Sequence, residues 1–299
     1  MLSFTKIVFR IVSWGFLVLM SLGFGPQRTT WAERYVYRAD ELFRIKLQIN
    51  SIPLVEVKVN GSPLWVKFDT GCSTGFSLTS AVEGKIAHEV TGKSIERTPD
   101  GSYRGETTLA TIASLEVFGA KYARVETSFS DWRIFSTLKF NGLLGLRYFK
   151  NKRVTIDYQS KIIGISSRPL VHRASEDFPM ALAPLLQASG SQADLIYVLG
   201  KVKNSPTVIY LDTGSSASFI DPSVLDASEI KKDKKHMLAE NVEISIGGFS
   251  FTVKRLRVQE QRRDVSFEYP QTVKLGSDVI RDFLITIDKI GNRLILQKN

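Results

Sequence analysis

Short segments of alternating apolar and polar residues, separated by turn residues, recur along the chain. Two of them, "LEVFGAKY" (115–122) and "ISIGGFSF" (244–251), place alternating runs on both sides of a glycine. Alternation with a period of two is typical of half-buried strands, and a glycine between two such runs predicts a β-hairpin. The pattern therefore predicts a mainly β protein.

These segments belong to a larger repeat. "SPLWVKFDTG" (62–71) aligns with "SPTVIYLDTG" (205–214), and the stretch 143–165 aligns with 274–296. The order is the same in both halves, which indicates an internal duplication. We therefore expect two similar β lobes rather than a solenoid, for which two copies are too few.

The repeat sets the predicted domain boundaries. The first lobe is expected over 33–165 and the second over 194–299, with residues 166–193 as the connection because they are rich in Ser, Pro and Ala. Residues 1–32 are set apart from the fold. They carry basic residues before an apolar run of 15 residues, and cleavage after Ala32 is predicted for a secretory signal peptide.

An uncleaved N-terminal anchor is the alternative for this segment, although the run is short for a membrane span. In either case the chain is expected to be exported, as a periplasmic, secreted or membrane-tethered protein, with any membrane association made through this segment.

The net charge of +10 has its densest clusters in "KKDKKH" (231–236) and "RR" (262–263). These are interpreted as solvated loops, with attraction to nucleic acid or anionic lipid as the alternative. No aromatic residues interleave with them, so no nucleic-acid partner is predicted. The single cysteine, Cys72, excludes an internal disulfide, and no Cys/His cluster predicts a metal site.

The tripeptide Asp-Thr-Gly, at Asp69 and again at Asp212, offers the clearest chemistry. Each aspartate follows an apolar strand and precedes a glycine that permits a tight turn. If the two turns meet about a pseudo-twofold axis, the carboxylates cannot both ionise and share a proton. One carboxyl can then act as base toward water while the other donates a proton to a substrate carbonyl.

With this doubled motif the chain resembles the pepsin/retropepsin-type aspartic proteases in their two-lobed, single-chain form, over nearly all of residues 45–298. The resemblance implies two pseudo-symmetric β-barrel lobes with a cleft between them. It also implies an aspartic endopeptidase that acts on protein or peptide substrates, needs no cofactor, and is a monomer because both halves of the dyad lie in one chain.

The resemblance also implies roles for individual residues. Asp69 and Asp212 would be the catalytic pair, supported by residues that follow them in each turn: Thr70, Gly71, Cys72, Thr213, Gly214 and Ser215. The threonines would hydrogen-bond across the lobe interface. Ser215 stands where the family usually carries Ser, Thr or Ala, and a serine there can hydrogen-bond its aspartate. The Cys72 thiol donates more weakly, so unequal support of the two aspartates is expected.

The loops that back the two turns differ between the halves. In the first half the family's apolar-apolar-Gly pattern is met by Leu143, Leu144 and Gly145, and in the second only Leu275 and Gly276 match. Lys274 takes the remaining apolar place, where it is expected either to point out of the core or to distort the loop.

A flap over the cleft is a further expectation from the family. "TPDGSYRGET" (98–107) is the candidate hairpin tip, with Tyr103 as the candidate flap tyrosine and an exposed loop tyrosine as the alternative. The corresponding region of the second half, 229–240, is rich in lysine and does not resemble a flap closely.

Other readings of the motifs stay open. The two aspartates could be ordinary turn residues, or the fold could serve a catalytically silent peptide-binding or regulatory protein. Cys72 could be a nucleophile if one of the histidines, His88, His172 or His236, came within hydrogen-bond reach.

Two further pairs of residues are given structural interpretations. Asp157 and Asp288, which also repeat, are interpreted as turn acids. Trp65 and Trp132 are interpreted as core or cleft-wall residues.

Overall fold

The structure, a computed structural model, describes residues 39–48, 51–97, 103–131, 139–167, 180–233, 235–261 and 267–298. The predicted signal segment, the tip of the candidate flap at 98–102, Trp132 and His172 lie outside these ranges. Within them, no helix combines the length and the apolar character needed to cross a membrane.

The described residues are mainly in β-strands. The strands are β1 (Glu41–Arg44), β2 (Lys46–Leu47), β3 (Pro53–Val59), β4 (Ser62–Phe68), β5 (Phe76–Thr79), β6 (His88–Arg97), β7 (Tyr103–Val117), β8 (Ala120–Ser130), β9 (Gly142–Leu144), β10 (Arg153–Asp157), β11 (Ile162–Ser166), β12 (Met180–Leu186), β13 (Ile196–Val202), β14 (Ser205–Asp212), β15 (Phe219–Ile220), β16 (Ile230–Asp233), β17 (His236–Ile246), β18 (Phe249–Val258), β19 (Gln271–Gly276), β20 (Phe283–Asp288) and β21 (Arg293–Lys298).

Helical structure in the described ranges is limited to short segments of three to six residues. The one α-helical turn is α1 (Ser277–Ile280), and the 3₁₀ turns are Ser80–Lys85, Leu146–Phe149, Gly190–Gln192, Pro222–Val224 and Ala227–Glu229.

Two closed barrels of six strands each confirm the prediction of two β-barrel lobes. In the first barrel the strand order is β3, β4, β9, β5, β8 and β7, and β7 closes the ring by pairing with β3. In the second the order is β13, β14, β19, β15, β18 and β17, and β17 closes on β13. Strands at equivalent places of the sequence repeat occupy equivalent places in the two rings, as expected for a duplication.

Alternation along the strands fills the barrel interiors. In β3 the burial pattern puts Val55, Val57 and Val59 inward, with Glu56 and Lys58 exposed between them. Phe68 at the end of β4 is fully buried, and its ring lies 5.9 Å from that of Phe149 in an edge-on arrangement. The strand that leads to the first Asp-Thr-Gly turn is thus anchored by a large apolar side chain.

A third sheet, here called the central sheet, joins the two halves. Its order is β1, β11, β10, β20, β21 and β12, three strands from each half of the chain. β10 and β20 are antiparallel neighbours at its centre, where Thr155 faces Thr286 and their hydroxyls lie 2.9 Å apart. β12 also pairs with β13, which connects the central sheet to the second barrel.

The two predicted hairpins are confirmed. β7 and β8 are joined by Phe118-Gly119, and β17 and β18 by Gly247-Gly248. All four of these turn residues have positive φ, between 47° and 75° in the first turn and between 56° and 84° in the second. Positive φ at both central residues is the type I′ geometry that suits the twist of paired strands.

Two segments differ from their sequence-based expectations. Residues 180–186 of the expected connection form β12, because their alternating burial lets them pair with β21. The described residues of the basic run 231–236, expected to be a loop, lie in the β16–β17 hairpin, in which Asp233 pairs with His236. Within this hairpin Lys231 Nζ lies 2.7 Å from Glu240 Oε2.

Candidate active site

The two Asp-Thr-Gly turns, residues 69–71 and 212–214, lie at the ends of equivalent barrel strands. Asp69 follows β4, and its N–H donates to Leu144 O of β9 at 2.9 Å. Asp212 ends β14 and pairs in parallel register with Gly276 of β19. Both aspartates are buried, with 6% and 8% of their surface exposed. The structure therefore brings both repeated motifs to one place.

The threonines of the two turns are bonded across the barrel interface. Thr70 N–H donates to Thr213 Oγ1 at 3.0 Å, and Thr213 N–H donates to Thr70 Oγ1 at 3.0 Å. Each hydroxyl in turn donates to a backbone oxygen of the opposite strand, Thr70 to Leu211 and Thr213 to Phe68, both at 2.8 Å. Four buried bonds with twofold symmetry thus fix the two turns against each other.

The glycines allow each turn to approach the opposite aspartate. A Cβ on Gly214 would lie 2.1 Å from Asp69 Cγ, and one on Gly71 would lie 2.8 Å from Asp212 Cγ and 2.6 Å from the Tyr210 hydroxyl oxygen. No real Cβ fits at such distances, so these positions require glycine for contact rather than for φ. Each carboxylate is therefore enclosed partly by the partner barrel.

Both carboxylates have the same pattern of donors. Oδ1 of Asp69 accepts from Gly71 N–H at 2.8 Å, and Oδ1 of Asp212 accepts from Gly214 N–H at 2.9 Å. The second oxygen of each carboxylate faces a lysine. Lys67 Nζ is 3.0 Å from Asp69 Oδ2, and Lys274 Nζ is 2.9 Å from Asp212 Oδ2.

The two lysines reach the site from different strands. Lys67 is in β4, two residues before Asp69, whereas Lys274 is in β19, which neighbours β14. In the first barrel Lys67 is paired with Leu143, and in the second Tyr210 is paired with Lys274. In the first barrel the lysine lies on the strand that leads to the aspartate, and in the second barrel it lies on the neighbouring strand. Each barrel therefore supplies one ammonium to its own aspartate.

Of the two sequence-based expectations for Lys274, the structure agrees with a side chain that points out of the core. The β14–β19 register continues through Lys274 and Leu275 to Gly276, so the loop is not distorted. The side chain leaves the barrel core but ends at Asp212, and a quarter of it is exposed (25%). Lys67 is more enclosed, with 6% exposure, and its Nζ also donates to Gly214 O of the other barrel at 3.0 Å.

The surroundings shift the titration of two groups at the site. Burial, and next the nearby Asp69 carboxylate, raise the pKa of Asp212, while Lys274 and Lys67 oppose this rise. Burial, followed by Asp212 and Asp69, raises the pKa of Tyr210 well above its ordinary value. Tyr210 therefore keeps its hydroxyl proton across the neutral range beside the two turns.

Cys72 and Ser215 do not support the aspartates in the way expected. Ser215 Oγ donates to Ala217 O at 2.8 Å, and Cys72 Sγ lies 3.4 Å from Thr74 Oγ1. Burial and then the Asp69 carboxylate raise the pKa of the thiol to about 11. His88 Nδ1 lies 2.7 Å from Ile86 O, and its ring lies 4.6 Å from that of Phe129. A buried thiol that is held protonated does not suit a nucleophile.

The apolar-Gly segments back the two turns as the sequence predicts. Leu144 and Leu275 are buried, and Leu143 packs with Trp65 in a small cluster beside the first barrel. Gly145 N–H donates to Gly75 O at 2.6 Å, and Gly276 N–H donates to Ser218 Oγ at 2.8 Å. These contacts hold the ends of β9 and β19 against the turns.

The remaining candidates are a tyrosine in a hairpin and two turn aspartates. Tyr103 begins β7 in the β6–β7 hairpin and is 62% exposed, and the tip that it flanks lies outside the described ranges. Asp157 and Asp288 accept backbone N–H bonds from Ser160 and Gly291, three residues on, as turn acids do. Asp288 also lies 3.0 Å from the Nε of Arg153.

Across the described residues, no three His, Cys, Asp or Glu side chains are grouped closely enough to hold a metal ion.

Comparison with the models of known protein families gives no match, and no curated protein is found to be similar. The interpretation of this site rests on its own geometry.

Proposed function

We propose that this chain is an aspartic-type endopeptidase of the pepsin/retropepsin kind, which hydrolyses peptide bonds with water activated between Asp69 and Asp212. The observation that carries the proposal is the reciprocal seating of the two turns, in which each aspartate lies against the glycine of the other turn. The substrate would lie in a cleft between the barrels, and one chain supplies both halves of the dyad.

The lysines that face the two aspartates differ in exposure, 6% for Lys67 and 25% for Lys274, and this difference supports different roles for the aspartates. Asp69 faces Lys67 Nζ and Gly71 N–H, so we assign it the carboxylate that takes a proton from water. Asp212, whose pKa is raised, is assigned the carboxyl that donates a proton to the substrate carbonyl oxygen. Water oxygen bonds to the carbonyl carbon in the same step, which gives a neutral tetrahedral diol.

Collapse of the diol restores the site. Asp69 gives its new proton to the amide nitrogen, one diol hydroxyl returns a proton to Asp212, and the carbon–nitrogen bond breaks. The products are a carboxylic acid and an amine, and the dyad again holds one proton. The buried hydrogen bonds of Thr70 and Thr213 keep the two carboxyls in place during these transfers.

A catalytically silent peptide-binding protein is the second candidate, and the lysines favour it. Both dyad carboxylates lie within 3.0 Å of an ammonium. Such pairing stabilises a state in which both carboxylates are ionised and no proton is left for the acid role. The two candidates share the fold and differ in whether the dyad can retain a proton.

Digestion of a peptide library over a range of pH separates them. The matched variants are Asp69→Asn and Asp212→Asn, with Asp226→Asn as control because that side chain is 83% exposed. Cleavage by the wild type and by the control, lost in both dyad variants, is the expected result. Cleavage that survives in both dyad variants contradicts the proposal, and peptide binding without cleavage at any pH favours the silent protein.

A further inference from the structure

Lys274 differs from Lys67 in what it offers to an incoming molecule. Its side chain is 25% exposed, and among the described residues Asp212 is the carboxylate within ion-pair distance of it. An ammonium has three donors, so contact with Asp212 leaves donors for a second anion. Lys67 is only 6% exposed and is tied to both Asp69 and Gly214 O, so it is held in place.

Aromatic rings border the ammonium of Lys274. Its Nζ lies 5.9 Å from the ring centroid of Tyr210 and 5.4 Å from that of Phe219. The guanidinium of Arg257 lies 6.0 Å from the same Phe219 ring. Rings stabilise the cations by their π-faces and exclude water, which strengthens any charge interaction made beside them. This side of the dyad is therefore apolar at its rim and positively charged.

The charges at the site also leave a place for an anion. With both aspartates ionised, Lys67 and Lys274 neutralise them. The proposed chemistry needs one proton on the dyad, and this adds one positive charge to a buried cluster. An unbalanced charge away from water is costly. A carboxylate brought by the substrate would restore neutrality in the state that reacts.

We propose that Lys274 is a specificity-determining residue that selects substrates with an Asp or Glu side chain next to the scissile bond. The substrate carboxylate pairs with the Lys274 ammonium and weakens its hold on Asp212, which then keeps the proton that it must donate. The preferred substrates are acidic peptides, and the correct substrate completes the acid form of the dyad. The expected preference in cleavage rests on the proposed peptidase function, whereas the expected preference in binding does not.

The test compares two peptides that differ only in Glu or Gln beside the scissile bond. Their kcat/KM values are measured, and the binding of uncleavable analogues with a reduced peptide bond is measured by fluorescence anisotropy. The wild type is expected to favour Glu about tenfold or more, which corresponds to about 1.4 kcal/mol. Lys274→Met should bring the ratio close to one, whereas Lys274→Arg should retain it.

The matched control is Lys58→Met. Lys58 is also ion-paired, with Glu116 Oε1 at 2.8 Å, but it lies at the far end of the β3–β4 hairpin from Asp69. This variant should keep the wild-type preference for Glu. Thermal melting of each variant shows that the fold is intact.

The outcomes for Lys274 and for the peptidase proposal are separable. A lack of Glu preference in both cleavage and binding overturns the role of Lys274, as does a preference that persists in Lys274→Met. If neither peptide is cleaved but the wild type binds the Glu analogue more tightly, and Lys274→Met does not, the recognition of acids stands and the peptidase proposal fails.

Discussion

Gly214, in the second barrel, lies directly against the Asp69 carboxylate of the first, where an added Cβ would be 2.1 Å from Asp69 Cγ. Gly214→Ala should therefore displace Asp69. We expect a loss of about 100-fold or more in peptide cleavage, because a displacement near 1 Å has that effect on reacting groups. Overpacking should also lower the free energy of unfolding by about 1–3 kcal/mol.

Gly84→Ala is the matched control for this prediction, since a Cβ at Gly84 meets no atom within 4 Å. Cleavage assays and thermal melts of the two variants form the comparison. Equal activity in both variants would show that the contact between Gly214 and Asp69 does not position the dyad.

The hydroxyl of Thr70 carries two of the four bonds between the turns. Thr70→Val should leave Thr213 N–H and Leu211 C=O without their partner, at a cost of about 2–4 kcal/mol in the free energy of unfolding. Thr70→Ser keeps the hydroxyl and should lose much less. Denaturant unfolding measures both, and similar losses in the two variants would indicate that the methyl group, not the hydroxyl, matters at this position.

The pH dependence of cleavage should respond to Lys274. Cleavage requires protonated Asp212, so its rate falls as pH rises through the pKa of that carboxyl. Lys274 opposes the rise of this pKa, so Lys274→Met should move the alkaline limb of the kcat/KM profile to higher pH. The profile is measured with the Gln peptide, and Lys58→Met should leave the limb in place. A limb that moves to lower pH would contradict the assignment of Asp212 as the acid.

The raised pKa of Asp212 should also make the free energy of unfolding depend on pH. The pKa of Asp212 is raised in the folded state above 3.8, so its protonation contributes stability that is fully present below pH 3.8 and lost as pH rises through the raised native value. The Asp212→Asn variant does not lose stability in this way, because asparagine does not titrate. Its free energy of unfolding relative to wild type should therefore increase across that window, as measured by urea titrations at several pH values. A constant difference would mean that Asp212 titrates alike in both states.

Cys72 should be unreactive in the folded protein. Its pKa of about 11 leaves little thiolate at pH 8, and the side chain is buried. Ellman's reagent should react slowly with the native protein and completely after unfolding in guanidinium. Cys72→Ala should cleave peptides at close to the wild-type rate, and an inactive but folded Cys72→Ala protein would revive the cysteine as a nucleophile.

The duplication, the hairpins and the convergence of the turns could be predicted because each depends on local patterns or on the repeat itself. The position of Lys67 beside Asp69 could also be predicted from a local pattern. Val66 and Phe68 face the barrel core, and a period of two places Lys67 on the same face as Asp69. The alternation alone predicts that Lys67 faces solvent, so it does not predict the ion pair between Lys67 and Asp69.

Lys274 could not be assigned from local pattern. Its contact with Asp212 depends on the parallel register of β14 and β19, which brings together residues far apart in the chain. The hydrogen bond of the Ser215 hydroxyl could not be predicted from the sequence pattern either. The hydroxyl donates to Ala217 O and not to the aspartate because of the shape of the turn. The asymmetry of the two aspartates therefore comes from the lysines and not from the Cys72/Ser215 difference.

The central sheet also bears on how the protein is synthesised. β10 pairs with β20, and their facing threonines are 131 residues apart in sequence. While the second half is still being translated, β10 is an uncovered strand edge, which is a template for pairing with other chains. Such long-range pairing also slows folding. Aggregation is therefore most favoured after the first half has been synthesised and before the second half is complete. If the two halves are expressed separately, each should depend on the other for solubility.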